Sequence, residues 1–137
     1  MKGINPEVYT VLKESSLVII KPDGVERNLI GRIVDMYERK GMKVSNIKML
    51  NIDRELAENH YSEHKGKHFY NELIDYIISG PSVALILTGE AAVKTIREIN
   101  EEIRAAYGVS TTRNTVHGSD SAESAEREIS LFFGVSA

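Results

Sequence analysis

Apolar residues follow two rhythms along this chain. Leu17-Val18-Ile19-Ile20 and Val83-Ala84-Leu85-Ile86-Leu87 are short unbroken runs, rich in β-branched residues. The turn formers Lys21-Pro22-Asp23-Gly24 end the first and Gly80-Pro81 precede the second, so both predict buried strands. Elsewhere the period lengthens to that of a helix. Leu29, Ile30, Ile33, Val34 and Tyr37 share one face, closed by Lys40-Gly41, whose glycine is free to turn left-handed. Phe69, Leu73, Ile74, Ile77 and Ile78 predict a second long helix, stopped at Gly80-Pro81. Val93, Ile96, Ile99 and Ile103 mark a third, and Ala122, Ala125, Ile129 and Phe132 line a fourth. Weaker signals complete the order: a strand over residues 43–52, a short helix capped by Asp53 and reaching about His60, and a short strand leading into His117.

Interleaved strands and helices predict one α/β sheet covered by helices. Periodicity leaves open whether its strands run parallel or antiparallel. Residues 1–15 read as an N-terminal extension, with residues 6–12 fitting a helical turn or two, ahead of a domain over residues 16–137. A chain of 137 residues that is 42% hydrophobic suits one domain with a full core. Its net charge of −3 gives no general grip on nucleic acid, so no nucleic-acid partner is expected. The absence of cysteine removes disulfides and thiolate chemistry and fits the cytoplasm. No apolar run is long enough to cross a bilayer, and no secretory signal run is expected at the N-terminus.

The densest chemistry lies in Arg113-Asn114-Thr115-Val116-His117-Gly118-Ser119-Asp120-Ser121. Ser119, Asp120 and Ser121 are all helix-capping types, and Asp120 with Glu123 has capping-box spacing. This predicts His117 on a tight turn just ahead of a helix N-terminus, a place that favours anions. Phosphate chemistry and an ordinary surface histidine both fit these residues. Lys21 ends a strand, where its charge either enters a cleft or marks the exit to water. Arg97 and Arg104 are seven apart. On one continuous helix they share a face, as a phosphate clamp or as solvated partners of Glu98, Glu101 and Glu102. Phe69 and Leu73 read as core. His60, His64 and His68 are spaced to line one helix, but Gly66 interrupts it and nothing completes a metal set, so no protein-held metal is expected.

With Lys21-Pro22-Asp23-Gly24-Val25, Ser79-Gly80-Pro81 and Asn114-x-x-His117-Gly118-Ser119-Asp120-Ser121 in order, residues 17–132 resemble a nucleoside diphosphate kinase. The resemblance implies a ferredoxin-like βαββαβ fold with a four-stranded antiparallel sheet. It implies ping-pong transfer of a γ-phosphate from a nucleoside triphosphate to a nucleoside diphosphate, with balancing of the nucleotide pool as the outcome. By that resemblance His117 is the nucleophile, through Nδ1, and Lys21 contacts the transferring phosphate. Phe69 stacks on the base beside Leu73, Arg97 and Arg104 hold phosphates, and Asn114 binds the sugar. Tyr61 sits near the phosphate, and Ser119 and Glu128 support the histidine. Mg²⁺ arrives with the nucleotide, and a homo-oligomer, hexamer or tetramer, is implied.

One segment departs from the family's common form. The loop after the third helix, which carries a phosphate-binding threonine, is shorter here by roughly ten residues, a change that loops tolerate thermodynamically. The expectation is that the third helix runs on to about Glu102 or Ala105 and still delivers Arg104 to the phosphates.

Overall fold

The computed structural model describes residues 13–135, and the turns expected over residues 6–12 lie outside them. Its sheet comprises β1 (Lys13–Ile20), β2 (Lys43–Asn51), β3 (Pro81–Glu90) and β4 (Val116–Gly118), in the order β2-β3-β1-β4. Every neighbouring pair is antiparallel. Helices α1 (Pro22–Glu26), α2 (Ile30–Arg39), α3 (Arg54–His60), α4 (Tyr70–Ile77), α5 (Ala92–Tyr107) and α6 (Ala122–Phe133) surround it. The four strands with α2 and α5 make the ferredoxin-like βαββαβ order. Helices α3 and α4 are inserted between β2 and β3, and α6 follows β4.

Both faces of the sheet are covered, which is why its central strands carry unbroken apolar runs. Successive side chains of a strand point to opposite faces. Val18 and Ile20 join Leu85 and Leu87 against Ile33 and Tyr37 of α2 and Ile96 and Ile103 of α5. Leu17 and Ile19 join Ala84 and Ile86 against Ile74, Ile77, Ile129 and Phe132. Full burial of each such side chain stabilises the fold by about 1.5–3 kcal/mol, so one strand drives two layers of packing.

Several local readings change. β1 begins at Lys13, ahead of the apolar run, and Lys13 pairs with Glu90. The Pro22-Asp23-Gly24 turn is a short helix, with Pro22 in the first turn, where its missing N–H costs nothing. α4 is shorter than its apolar face: Phe69 is its N-cap and Ile78 its C-cap, because the chain must extend again by Pro81. The cap of α6 is Ser121, not Asp120; its side chain accepts from Ser124 N at 3.0 Å. Asp53 caps α3 as expected, accepting from Leu56 N at 2.8 Å. α5 is one continuous helix to Tyr107, a little longer than expected. Its first turn is held from the sheet, where Glu14 of β1 accepts from Val93 N at 2.8 Å.

Candidate active site

His117 sits within β4, paired with Ile19, and not on a turn; α6 begins only at Ala122. Strand alternation sends its ring to the face of Ile19, towards α3 and α6, while Val116 and Gly118 face α5. Glu128, on the second turn of α6, folds back over β4. Its Oε1 lies 2.9 Å from His117 Nε2 and accepts from Ser119 Oγ at 2.6 Å. Ser119 Oγ in turn accepts from Leu17 N at 3.4 Å, tying the pair to the central strand. Burial pushes the Glu128 carboxyl up, but the hydrogen bonds from His117 and Ser119 outweigh it and hold the group below its ordinary value. A carboxylate at Nε2 keeps the proton there and leaves the lone pair on Nδ1.

Lys21 is buried at 6% exposure, so it does not mark an exit to water. Its Nζ donates to Asn114 Oδ1 at 2.8 Å. Burial, helped by the Arg104 charge and opposed by Asp23, lowers its pKa from 10.5 to about 8. Beneath it lies a network that the sequence reading missed. The buried Asp23 carboxylate accepts from Tyr76 Oη and from Thr115 Oγ1, the latter at 3.0 Å. The Asp23 N–H donates back to Tyr76 Oη at 2.9 Å. Thr115 has φ +79, a conformation that costs a β-branched residue about 1–3 kcal/mol. Its carbonyl accepts from Lys21 N at 2.8 Å. Asp23 thus fixes a strained residue that stands between Asn114 and the His117 strand. The only sequence signal was an aspartate in a Pro-Asp-Gly triplet, which turn chemistry already explained.

The arginines come from the opposite layer. Arg97, Asn100, Glu101 and Arg104 of α5 line a small cavity against Gly118. Arg104 Nη2 donates to the Val116 carbonyl at 2.8 Å, one residue from His117, and its buried Nε has no protein partner. Arg97 is exposed. β4 is the edge strand of the sheet, so a group on α5 can reach round it. Gly118 is required by close approach: a Cβ there would stand 2.6 Å from Asn100 Nδ2.

Histidine and aromatic rings lead outward from His117. His60 meets His117 edge-on at 4.7 Å between centroids, and Tyr61 packs on His60 at 4.6 Å. His64 follows at 6.2 Å from Tyr61, and Phe69 at 5.4 Å from His64. Phe69 is therefore half-buried at the outer end of this row and not a core residue, whereas Leu73 packs on the core. His60, at the end of α3, is 3% exposed, and among the described residues neither of its nitrogens has a hydrogen-bond partner. Burial, with His117 beside it, pushes its pKa well below 6.5. His60, His64 and His68 do not line one helix: His60 ends α3, His64 ends a 3-10 turn and His68 lies in the exposed loop before α4. A larger open groove of about 540 Å³, lined by Glu72, Asp75, Tyr76 and Arg113, lies apart from His117.

The family model described as nucleoside diphosphate kinase matches residues 14–137. Among curated relatives, the nucleoside diphosphate kinase of Desulforamulus reducens is 48% identical, with 88% of this chain and 87% of that protein covered. That of Listeria monocytogenes serotype 4b is 52% identical, with 88% of each covered. Two solved structures are similar. The Aquifex aeolicus nucleoside diphosphate kinase superposes with a TM-score of 0.84 at 37% identity, covering 88% of this chain and 95% of that one. The halophilic enzyme of Halobacterium salinarum, in complex with CDP, gives 0.85 at 40% identity, covering 90% and 89%.

Proposed function

This chain belongs to the nucleoside diphosphate kinase family, and on that premise we propose that His117 carries the phosphoryl group between a nucleoside triphosphate and a nucleoside diphosphate. The family's reaction is γ-phosphate transfer through a phosphohistidine. The observation that carries the assignment is the Glu128–His117 pair, which holds Nε2 and leaves Nδ1 to attack phosphorus. The negative Glu128 then stabilises the positive charge that grows on the ring as the phosphoryl group arrives. In the second half-reaction the group leaves to the diphosphate and the ring returns to its starting tautomer.

Phosphoryl transfer needs positioning and charge more than covalent help. Lys21, Arg97 and Arg104 supply the positive charge, with Asn114 placing the Lys21 ammonium and reaching the sugar. Phe69 offers a stacking face at the mouth of the ring row, with Leu73 beside it, and Tyr61 backs His60. Stacking without base-edge hydrogen bonds accepts every base.

Mg²⁺ fits as a passenger on the nucleotide phosphates. The buried carboxylates Glu128 and Asp23 stand among imidazole, hydroxyl and phenol groups, which do not make the all-oxygen, water-rich set that Mg²⁺ takes. Its chemistry there is charge neutralisation on the phosphates. A homo-oligomer is supported by Ile47 and Met49, 48% and 58% exposed on the edge strand β2. Among the described residues no helix is long and apolar enough to cross a membrane, and the cysteine-free chain suits the cytoplasm.

The test is labelling with γ-³²P-ATP. An acid-labile, alkali-stable phosphoenzyme forms, chases onto added GDP, and is absent in His117→Ala. A label that survives in His117→Ala overturns the assignment.

A further inference from the structure

His60 is the least explained polar group in the molecule. An imidazole with two polar nitrogens and no partner, buried at 3% exposure, is costly to keep. It faces the nucleophile edge-on, and its Nδ1 stands 3.8 Å from Glu128 Oε2. His117 Nε2 stands 2.9 Å from Oε1 of the same carboxylate. One donor atom from each of His60, His117 and Glu128 lies within 4.8 Å of the others.

We infer that these three residues form a zinc site that silences the nucleophile. Two imidazoles and a carboxylate are a common donor set for Zn²⁺ with one position left open. Tetrahedral bonds of about 2.0–2.1 Å put donor atoms roughly 3.3 Å apart, so a pair as wide as 4.8 Å closes by about 1.5 Å, within reach of a side-chain rotation. The ring binds as a neutral imidazole: the Nε2 proton leaves as the Zn–N bond forms, Nδ1 takes one up from solvent, and the fourth position takes water or a phosphate oxygen. The imidazole loses its hydrogen bond to Glu128, and Nδ1 now carries the ring's proton, so it has no lone pair with which to attack phosphorus. Zinc therefore acts as an inhibitor, distinct from the Mg²⁺ that travels with the nucleotide. Arg127, 3.9 Å from Glu128 Oε2, and Lys21 place positive charge near the same ring and moderate the affinity.

The experiment titrates ZnCl₂ into the nucleotide-free protein by calorimetry, so its outcome is independent of any phosphotransfer assay. One equivalent binds, and His60→Ala and Glu128→Gln each weaken it by roughly 10–100-fold or more. His68→Ala, which alters an exposed histidine, leaves the affinity unchanged. ¹⁵N spectra show the His117 Nε2 resonance moving to the metal-bound range while Nδ1 moves to the range of a protonated ring nitrogen. Should His60→Ala fold poorly, Glu128→Gln and the Nε2 shift decide the matter. Zinc affinity equal in wild type, His60→Ala and Glu128→Gln, or a ¹⁵N shift confined to His64 or His68, overturns the site.

Discussion

Glu128 Oε1 stands 2.9 Å from His117 Nε2, across a connection that leaves the sheet at β4 and returns on the second turn of α6. The carboxylate decides which nitrogen of the ring is free. Glu128→Gln keeps the shape and loses the charge, so the tautomer relaxes and the charged phosphoimidazole loses its counterion. Phosphoenzyme formation in rapid-quench experiments falls by about 100-fold. Phosphorus NMR finds the group on Nδ1 in wild type and a share on Nε2 in the variant. Unchanged rate and position would remove Glu128 from the mechanism.

Lys21 trades stability for function. Its folded pKa, about 8, lies below the ordinary 10.5. Below pH 8 both folded and unfolded states carry the charge, and the folded state bears the full cost of burying it. Between pH 8 and 10.5 the unfolded state holds more protons, so this group's contribution improves as pH rises. The cost at pH 7 is on the order of 3 kcal/mol. Lys21→Met raises the denaturation midpoint at pH 7 and lowers kcat far more than nucleotide affinity, because the charge matters most in the transition state. In wild type, kcat/KM declines above about pH 8 as the free enzyme's Lys21 loses its proton.

His60 makes the opposite demand. Its folded pKa lies well below 6.5, so under acid conditions the unfolded chain takes up a proton that the folded one refuses. Stability is fully present above about pH 6.5 and is lost as pH falls below it. Urea midpoints for wild type therefore drop between pH 6.5 and 5, and His60→Gln flattens that slope. Parallel slopes would show that His60 titrates freely.

Phe69 stands clear of the core, with Lys67 Nζ 5.7 Å from its ring centroid and His64 and His68 edge-on. Phe69→Ala weakens ADP, GDP and CDP alike, by about 1–3 kcal/mol of lost stacking, while thermal stability barely shifts. A loss confined to one base would mean recognition by base edges.

Gly118→Ala tests the contact between layers. The new methyl would meet Asn100 Nδ2 at 2.6 Å and Ile96 Cγ2 at 3.1 Å. The overpacking costs about 1–3 kcal/mol, and displacing β4 lowers kcat as well. A fully active, fully stable variant would show that β4 has slack.

Much of the fold was legible because the apolar runs and helical stripes reflect burial directly. Leu17 to Ile20 pointed to a strand buried on both faces, and Asp53 announced its own helix. The strand into His117 was harder: β4 has three residues, and the capping types that follow it outweighed its brief pattern. Phe69 was misplaced because a residue just before a helix keeps the helix's period while its side chain escapes the helix's packing. Tyr76 gave no signal, His60 entered only as one of three spaced histidines, and Thr115 only as part of the histidine stretch. Their roles come from contacts between segments far apart in the chain, and a single sequence does not record which distant segments meet. Lys21, Asn114, His117 and Ser119 were found by motif and Glu128 by resemblance, and the fold gathers them into two hydrogen-bonded groups, Lys21 with Asn114 and His117 with Glu128 and Ser119.

The unbroken run of α5 makes the proposed phosphate grip a fixed ruler. Arg97 and Arg104 are spaced along one rod at 1.5 Å per residue and turned by 100° at each step. A mobile loop absorbs an added residue by bulging, but a rod passes it on as rotation. One residue inserted between them swings Arg104 away from β4 altogether, so in this chain the segment has become the part least able to vary in length.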